Sequence, residues 1–146
     1  MDRAGASVLA VVPALDASVA LAWAFRDEPL SSAELALDAV TRETVLVPAF
    51  WPFEIASGLR QAERQGRIDP GDIPRFTAGL SGLPATVDDA LWAHVFGDVM
   101  DIARKHNLSI YDAAYLDLAL RESLPLATLD RSLARTARQA GVALFE

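Results

Sequence analysis

Residues 109–130 read SIYDAAYLDLALRESLPLATLD. Ser109 can cap a helix whose first turn carries Asp112, and the apolar pattern behind it runs on to Arg121 and Glu122. A short connection leads to Leu126–Thr128, an apolar run of strand length, and Asp130 then stands ahead of a second helical run, RSLARTARQA. Helix, strand, acid and helix succeed one another in the manner of an alternating α/β chain with a mostly parallel sheet. The stretch also raises a question of chemistry. Helix capping explains either acid alone and explains the pair less readily.

The same alternation extends in both directions. Strands are expected near Val12–Leu15, Val45–Val47, Thr86–Val87 and Val142–Phe145, which with Leu126–Thr128 makes five. Ser31 with Glu34 forms a capping box before LALDAVTRE, Asp69 and Pro70 suit an N-cap and first helical position, and Asp88 can cap a long helix ending near Lys105. Gly66 and Gly141 follow helical runs as stop signals. Pro13 lacks a ladder donor and belongs at the entry of its strand. One domain over residues 1–146 is expected, with residues 1–10 an extension or flexible tail.

Composition narrows the functions. A chain of 146 residues, 52% hydrophobic, has material for one buried core. Cysteine is absent, which excludes disulfides, thiolate metal sites and cysteine nucleophiles and fits a reducing cytoplasm. Neither His94 nor His106 has a partner at metal-ligand spacing, so any metal is expected on oxygen ligands. SVLAVVPALDASVALAWAF, residues 7–25, is apolar enough to suggest a membrane span, but Asp16 within it costs about 2.5–3.5 kcal/mol at a span centre. A buried strand leading into a buried helix accounts for the same letters, and no membrane role is expected. The net charge of -7 argues against nucleic acid for the surface as a whole. It leaves open a polyanion bound through a metal-filled acidic site beside a local strip of arginine, the type of every basic residue except Lys105.

In an open parallel sheet, ligands bind beyond the carboxyl ends of the strands. Asp16 and Asp130 follow the first and fourth strands, Glu54 lies early in the helix after the second, and Asp112 lies at N3 of the helix begun by Ser109. Each can cap a helix or favour the positive end of its dipole, worth about 0.3–1 kcal/mol. As a set in apolar surroundings they repel one another, which costs stability unless a cation neutralises them. Mg²⁺ or Mn²⁺ is the natural choice for carboxylate and water oxygens. Asp117 lies about 140° round the helix from Asp112. It is expected to pair with Arg121 on the surface, while Asp98, Asp101, Asp27 and Glu28 read as solvated charge.

Four segments carry a family resemblance: LDASVALAW around Asp16 and Ser18, VPAFWPFEIASGL around Glu54, LSIYDAAYLDLA around Asp112, and LPLATLDRSL around Thr128 and Asp130. Spanning residues 15–133 in order, they resemble PIN-domain ribonucleases of the VapC type, the toxins of type II toxin–antitoxin pairs. The resemblance implies a three-layer α/β/α sandwich around a central, mostly parallel sheet, with Asp16, Glu54, Asp112 and Asp130 as the metal-binding and catalytic set. Ser18 and Thr128 become supporting hydroxyls. Ser57 stands where relatives often carry asparagine three residues after the glutamate, which leaves one contact around the metal in doubt.

The expected activity is then metal-dependent endonucleolytic cleavage of RNA, in which an ion activates water for attack on the phosphodiester. Arg60 and Arg64, and likewise Arg131, Arg135 and Arg138, form strips that are either solvated faces or a rim contacting RNA phosphates. Trp23, Phe25, Trp51 and Phe53 suit core packing or, where exposed, a groove for a peptide. The resemblance implies a cognate antitoxin and a homodimer. Two other readings are an aspartate-based phosphoryl-transfer domain, which ordinarily needs a lysine after a later strand, and a catalytically silent PIN-like module that only binds protein.

Overall fold

The computed structural model describes residues 13–25 and 44–145. The N-terminal extension, Val12 of the first expected strand, the Ser31–Glu34 capping box, Asp27 and Glu28 lie outside them. Strand β1 (Ala14–Leu15) leads into α1 (Ala17–Ala24), and β2 (Val45–Val47) into α2 (Trp51–Arg64). A 3₁₀ turn, Pro70–Asp72, runs into α3 (Ile73–Ser81), followed by β3 (Ala85–Val87). A helical run then comprises α4 (Leu91–His94), a π-helical turn (Val95–Val99) and α5 (Met100–His106). It is followed by α6 (Ile110–Glu122), β4 (Leu126–Ala127) and α7 (Arg131–Gln139).

The four strands form one parallel sheet, flanked by helices, in the order β3-β2-β1-β4. The fifth expected strand is reduced to a single parallel bridge, Leu126 to Leu144, supported by bonds from Leu126 N to Ala143 O and from Phe145 N to Leu126 O. Pro13 stands at the entry of β1, fully buried, where its carbonyl accepts from Leu46 N. The chain steps from β1 outward to β2 and β3, then returns to place β4 on the other side of β1. The sheet therefore has its topological switch point between β1 and β4, where such folds open a crevice.

Helix α6 is buried on every side from Ala113 to Leu118 and on to Ala119, which explains why its hydrophobic pattern is continuous rather than one-sided. Ser109 caps it by accepting from Asp112 N, and the residue after it, Ser123, adopts a left-handed conformation. Helices α1 and α2 pack closely because Gly58 has no side chain: a Cβ there would lie 2.4 Å from Leu21 Cδ1. Gly66 and Gly141 take positive φ as helix stops, and Asp69 accepts from Gly71 N at the start of the 3₁₀ turn.

Two acids depart from their expected roles. Asp117 does pair with Arg121 at 2.9 Å, but at 3% exposure the pair is buried rather than superficial. Asp88 does not cap the helix after β3, whose N-cap is Ala90. It accepts from the Ala90 amide and from both terminal nitrogens of Arg121, tying the loop after β3 to α6. Asp98 and Asp101 are exposed, as expected. Among the described residues, no helix is long and apolar enough to cross a membrane.

Candidate functional site

Register alone brings the first two site elements together. Leu15 pairs with Ala127 across β1 and β4, so the next residues, Asp16 and Thr128, emerge side by side at the switch point. The Thr128 hydroxyl donates to Asp16 Oδ2 at 2.6 Å, and Ser18 Oγ donates to the same oxygen at 2.8 Å. Ser18 also accepts from Leu129 N, and Thr128 accepts from Asp130 N, so both supporting hydroxyls clamp the start of the loop after β4. Asp16 occupies the N-cap position of α1 without a side-chain capping bond. Asp130 does act as a cap, its Oδ1 accepting from Ser132 N and Leu133 N.

Glu54 comes from the first turn of α2 and meets α6 through Tyr115, whose hydroxyl donates to Glu54 Oε1 at 2.8 Å and accepts from Ala17 N at 3.3 Å. Tyr115 is fully buried and thereby joins the N-termini of three helices, a role the sequence reading missed. Its spacing of three residues from Asp112, one helical turn on the same face, was the available signal. Phe50 strengthens the junction, packing edge-on against Tyr111 at 5.1 Å and Tyr115 at 5.5 Å. Asp112 has no side-chain hydrogen bond among the described residues.

The carboxylates sense one another. Burial pushes the Asp16 carboxyl above its ordinary range against the hydroxyl bonds that lower it, and Asp130 adds repulsion. Burial also raises Glu54, with the Tyr115 bond opposing and the charges of Asp16 and Asp112 adding to the rise. Asp112 is pushed up to about 6, first by burial and then by Asp16 and Asp130. The structure thus brings all four acids into one electrostatic neighbourhood. It does not bring oxygens from any three of them within 4.8 Å of one another.

That closer approach occurs, among the described residues, at His94, Asp98 and Asp117. His94 Nδ1 lies 3.2 Å from Asp98 Oδ2, so this histidine does have neighbours at ligand distance, contrary to the sequence expectation. Asp117 in that group is already neutralised by Arg121.

The expected arginine strips differ in setting. Arg131, Arg135 and Arg138 line a groove with Thr128 and Asp130, whereas Arg60 pairs with Glu63 at 3.3 Å on α2. Of the four early aromatics, Phe25 and Trp51 are buried and Trp23 is half-buried, while Phe53 is 80% exposed.

Comparison with known proteins agrees with this architecture. Residues 14–139 match the profile of the PIN domain. Ribonuclease VapC3 of Pyrobaculum aerophilum is 30% identical over 120 residues, covering 82% of this chain and 90% of the relative. The crystal structure of PAE2754 from Pyrobaculum aerophilum is similar with a TM-score of 0.64 and 25% identity, covering 88% of this chain and 87% of that one. The chain therefore belongs to the PIN domain family, in its VapC-type branch.

Proposed function

We propose that this chain is a divalent-metal-dependent endoribonuclease and the toxin of a toxin–antitoxin pair, working in the cytoplasm. The observation that carries the reading is the set Asp16, Glu54 and Asp112, three carboxyls from separate elements whose ionised forms are all disfavoured by burial and mutual charge. Such a set favours a cation. A metal fits these residues on the chemistry of the donors: all are hard oxygens, and hydrogen bonds hold one oxygen each of Asp16, Glu54 and Asp130, leaving the other outside those bonds. Asp16, Glu54, Asp112 and Asp130 would hold Mg²⁺ or Mn²⁺. When bound, such an ion acidifies water at neutral pH and stabilises charge on the phosphodiester oxygens.

The chain's own groups supply orientation. Ser18 and Thr128 fix Asp16, and Tyr115 fixes Glu54 relative to α1, so these acids would be offered to an ion as held groups rather than as swinging side chains. With its carboxyl pushed up to about 6, Asp112 must give up a proton to take a cation, so cation affinity should rise with pH through that range. No histidine base is needed. The phosphoryl-transfer alternative is disfavoured because Lys105 lies exposed in the last turn of α5 rather than after a strand.

The exposed aromatics Phe53, Trp92 and Phe96, the last two packed against each other at 5.5 Å, suit burial against protein. A cognate antitoxin and a second copy of the chain are the proposed partners, as the VapC relationship suggests. The reading is tested by sequencing RNA ends after brief expression of wild type and Asp112→Asn. New termini at defined positions are expected in the wild type alone; identical ends in both would overturn it.

A further inference from the structure

We propose that RNA reaches the acids as a single strand lying in the groove between α7 and the C-terminal segment, its phosphates on Arg131 and Arg135 and a base against Phe145. The inference rests on the nuclease reading above and adds to it the path and form of the substrate. The groove has a volume of about 470 Å³, and its lining includes Arg131, Arg135 and Arg138 of α7 together with Leu144 and Phe145 of the C-terminal segment. Thr128 and Asp130 also line it, so a strand held there passes beside the candidate site.

Charge and place together mark this groove, whose lining joins arginines of α7 to Thr128 and Asp130 of the candidate site, whereas Arg75 lies with Asp69 and Asp72 in another cavity. Arg131 and Arg135 are exposed, on one face of α7 about 6 Å apart along its axis, and neither has an ion pair among the described residues. Arg104 and Arg121 are paired with carboxylates, as is Arg60. Arg64 lies ten residues beyond Glu54, about 15 Å along α2. Two guanidinium groups without an ion pair among the described residues, sharing a groove with an aromatic ring, are the combination that holds unstacked nucleotides, with cations on the backbone and a π-face for the base. The Phe145 backbone N–H donates to Leu126 O, which fixes the backbone of this residue at the edge of the sheet.

The test is fluorescence anisotropy of a labelled oligouridylate in EDTA across a salt series, with full-length wild type and variants checked for unchanged melting. Arg131→Ala/Arg135→Ala is expected to weaken low-salt binding about tenfold and to flatten the slope of log K against log salt by about 1.4, or about 0.7 per lost phosphate contact. Phe145→Leu should weaken binding several-fold with the slope unchanged, and Arg60→Ala should change neither. If the double variant melts early, Arg135→Gln alone should still flatten the slope by about 0.7. A wild-type slope in these arginine variants, or a change carried by Arg60→Ala instead, overturns the proposal. So does weakened binding of an oligoglutamate peptide with RNA binding intact, which would give the groove to an acidic protein segment. Metal-dependent RNA cleavage is assayed in parallel: cleavage with an unaltered slope sinks the groove alone, and an altered slope without cleavage by the wild type sinks the nuclease reading alone.

Discussion

Replacing Arg121 by methionine removes the cation that ties α6 to the loop after β3. Its Nε lies 2.9 Å from Asp117 Oδ2, and its Nη2 and Nη1 lie 2.8 and 3.3 Å from the two oxygens of Asp88. The carboxylates are 4% and 7% exposed and the guanidinium 15%, so the variant leaves two nearly buried acids without their partner. Breaking a buried pair from one side costs about 3–5 kcal/mol, and the partial exposure of the arginine favours the lower end. At about 2–4 °C per kcal/mol for a chain of this size, melting should fall by roughly 6–12 °C.

Urea denaturation should show an earlier midpoint at an unchanged slope. Acid supplies an internal control. Burial pushes Asp88 up, but bonds from Arg121 and the Ala90 amide outweigh it and hold its carboxyl below the ordinary range. The wild type keeps that stabilisation above the unfolded carboxyl range and loses it as pH falls through the lower folded value. Without Arg121 the depression disappears, so the difference between the proteins should be widest near neutrality and shrink below about pH 4. Asp88→Asn added to Arg121→Met should restore part of the loss. A loss under about 1 kcal/mol that ignores pH would refute the reasoning, because that is how a solvated pair behaves.

Asp112→Asn should raise stability at pH 8 in EDTA, by about 1 kcal/mol once partial exposure is allowed for, since an ionised Asp112 is disfavoured in the folded state. The folded carboxyl binds its proton more tightly than the unfolded one, so the gain should fade as pH falls from about 6 to 4; melts at two pH values check it. Tyr115→Phe deletes the hydroxyl shared by Glu54 and Ala17 N and should cost about 1–3 kcal/mol. It should also move the acid limb of any cleavage profile to higher pH, because that bond holds the Glu54 carboxyl down. Thr128→Val keeps the shape but removes a donor to Asp16 and an acceptor for Asp130 N; about 1–2 kcal/mol should be lost in urea, with RNA cleavage slowed at unchanged RNA affinity.

What the sequence made legible was mostly local. Ser109, Asp69, Gly66 and Gly141 mark element ends through bonds or dihedrals within a few residues, and the structure has them there. The post-strand positions of Asp16 and Asp130 follow from alternation alone, and strand register then supplies the meeting with Thr128. Contacts across the chain were not legible. Arg121 reaches Asp88 over 33 positions and Tyr115 reaches Glu54 over 61, and no local spacing encodes either bond. Asp117 looked superficial because a charged residue in an apolar helix ordinarily faces water; its burial depends on the distant Asp88 sharing the same arginine. The expected strand at Val142–Phe145 has the right letters, but only Leu144 closes a bridge on Leu126. For Asp130 the capping reading was correct as far as Oδ1 goes, and it leaves the other oxygen outside those bonds.

The central claim is that acids from four separate segments jointly hold a divalent ion, and calorimetric titration with Mn²⁺ at pH 7.5 tests it most directly. The account predicts binding by the wild type that weakens more than about tenfold in Asp112→Asn and is unchanged in His94→Ala. Wild-type affinity in Asp112→Asn, with binding lost in His94→Ala, would contradict it and put the ion at His94, Asp98 and Asp117 instead.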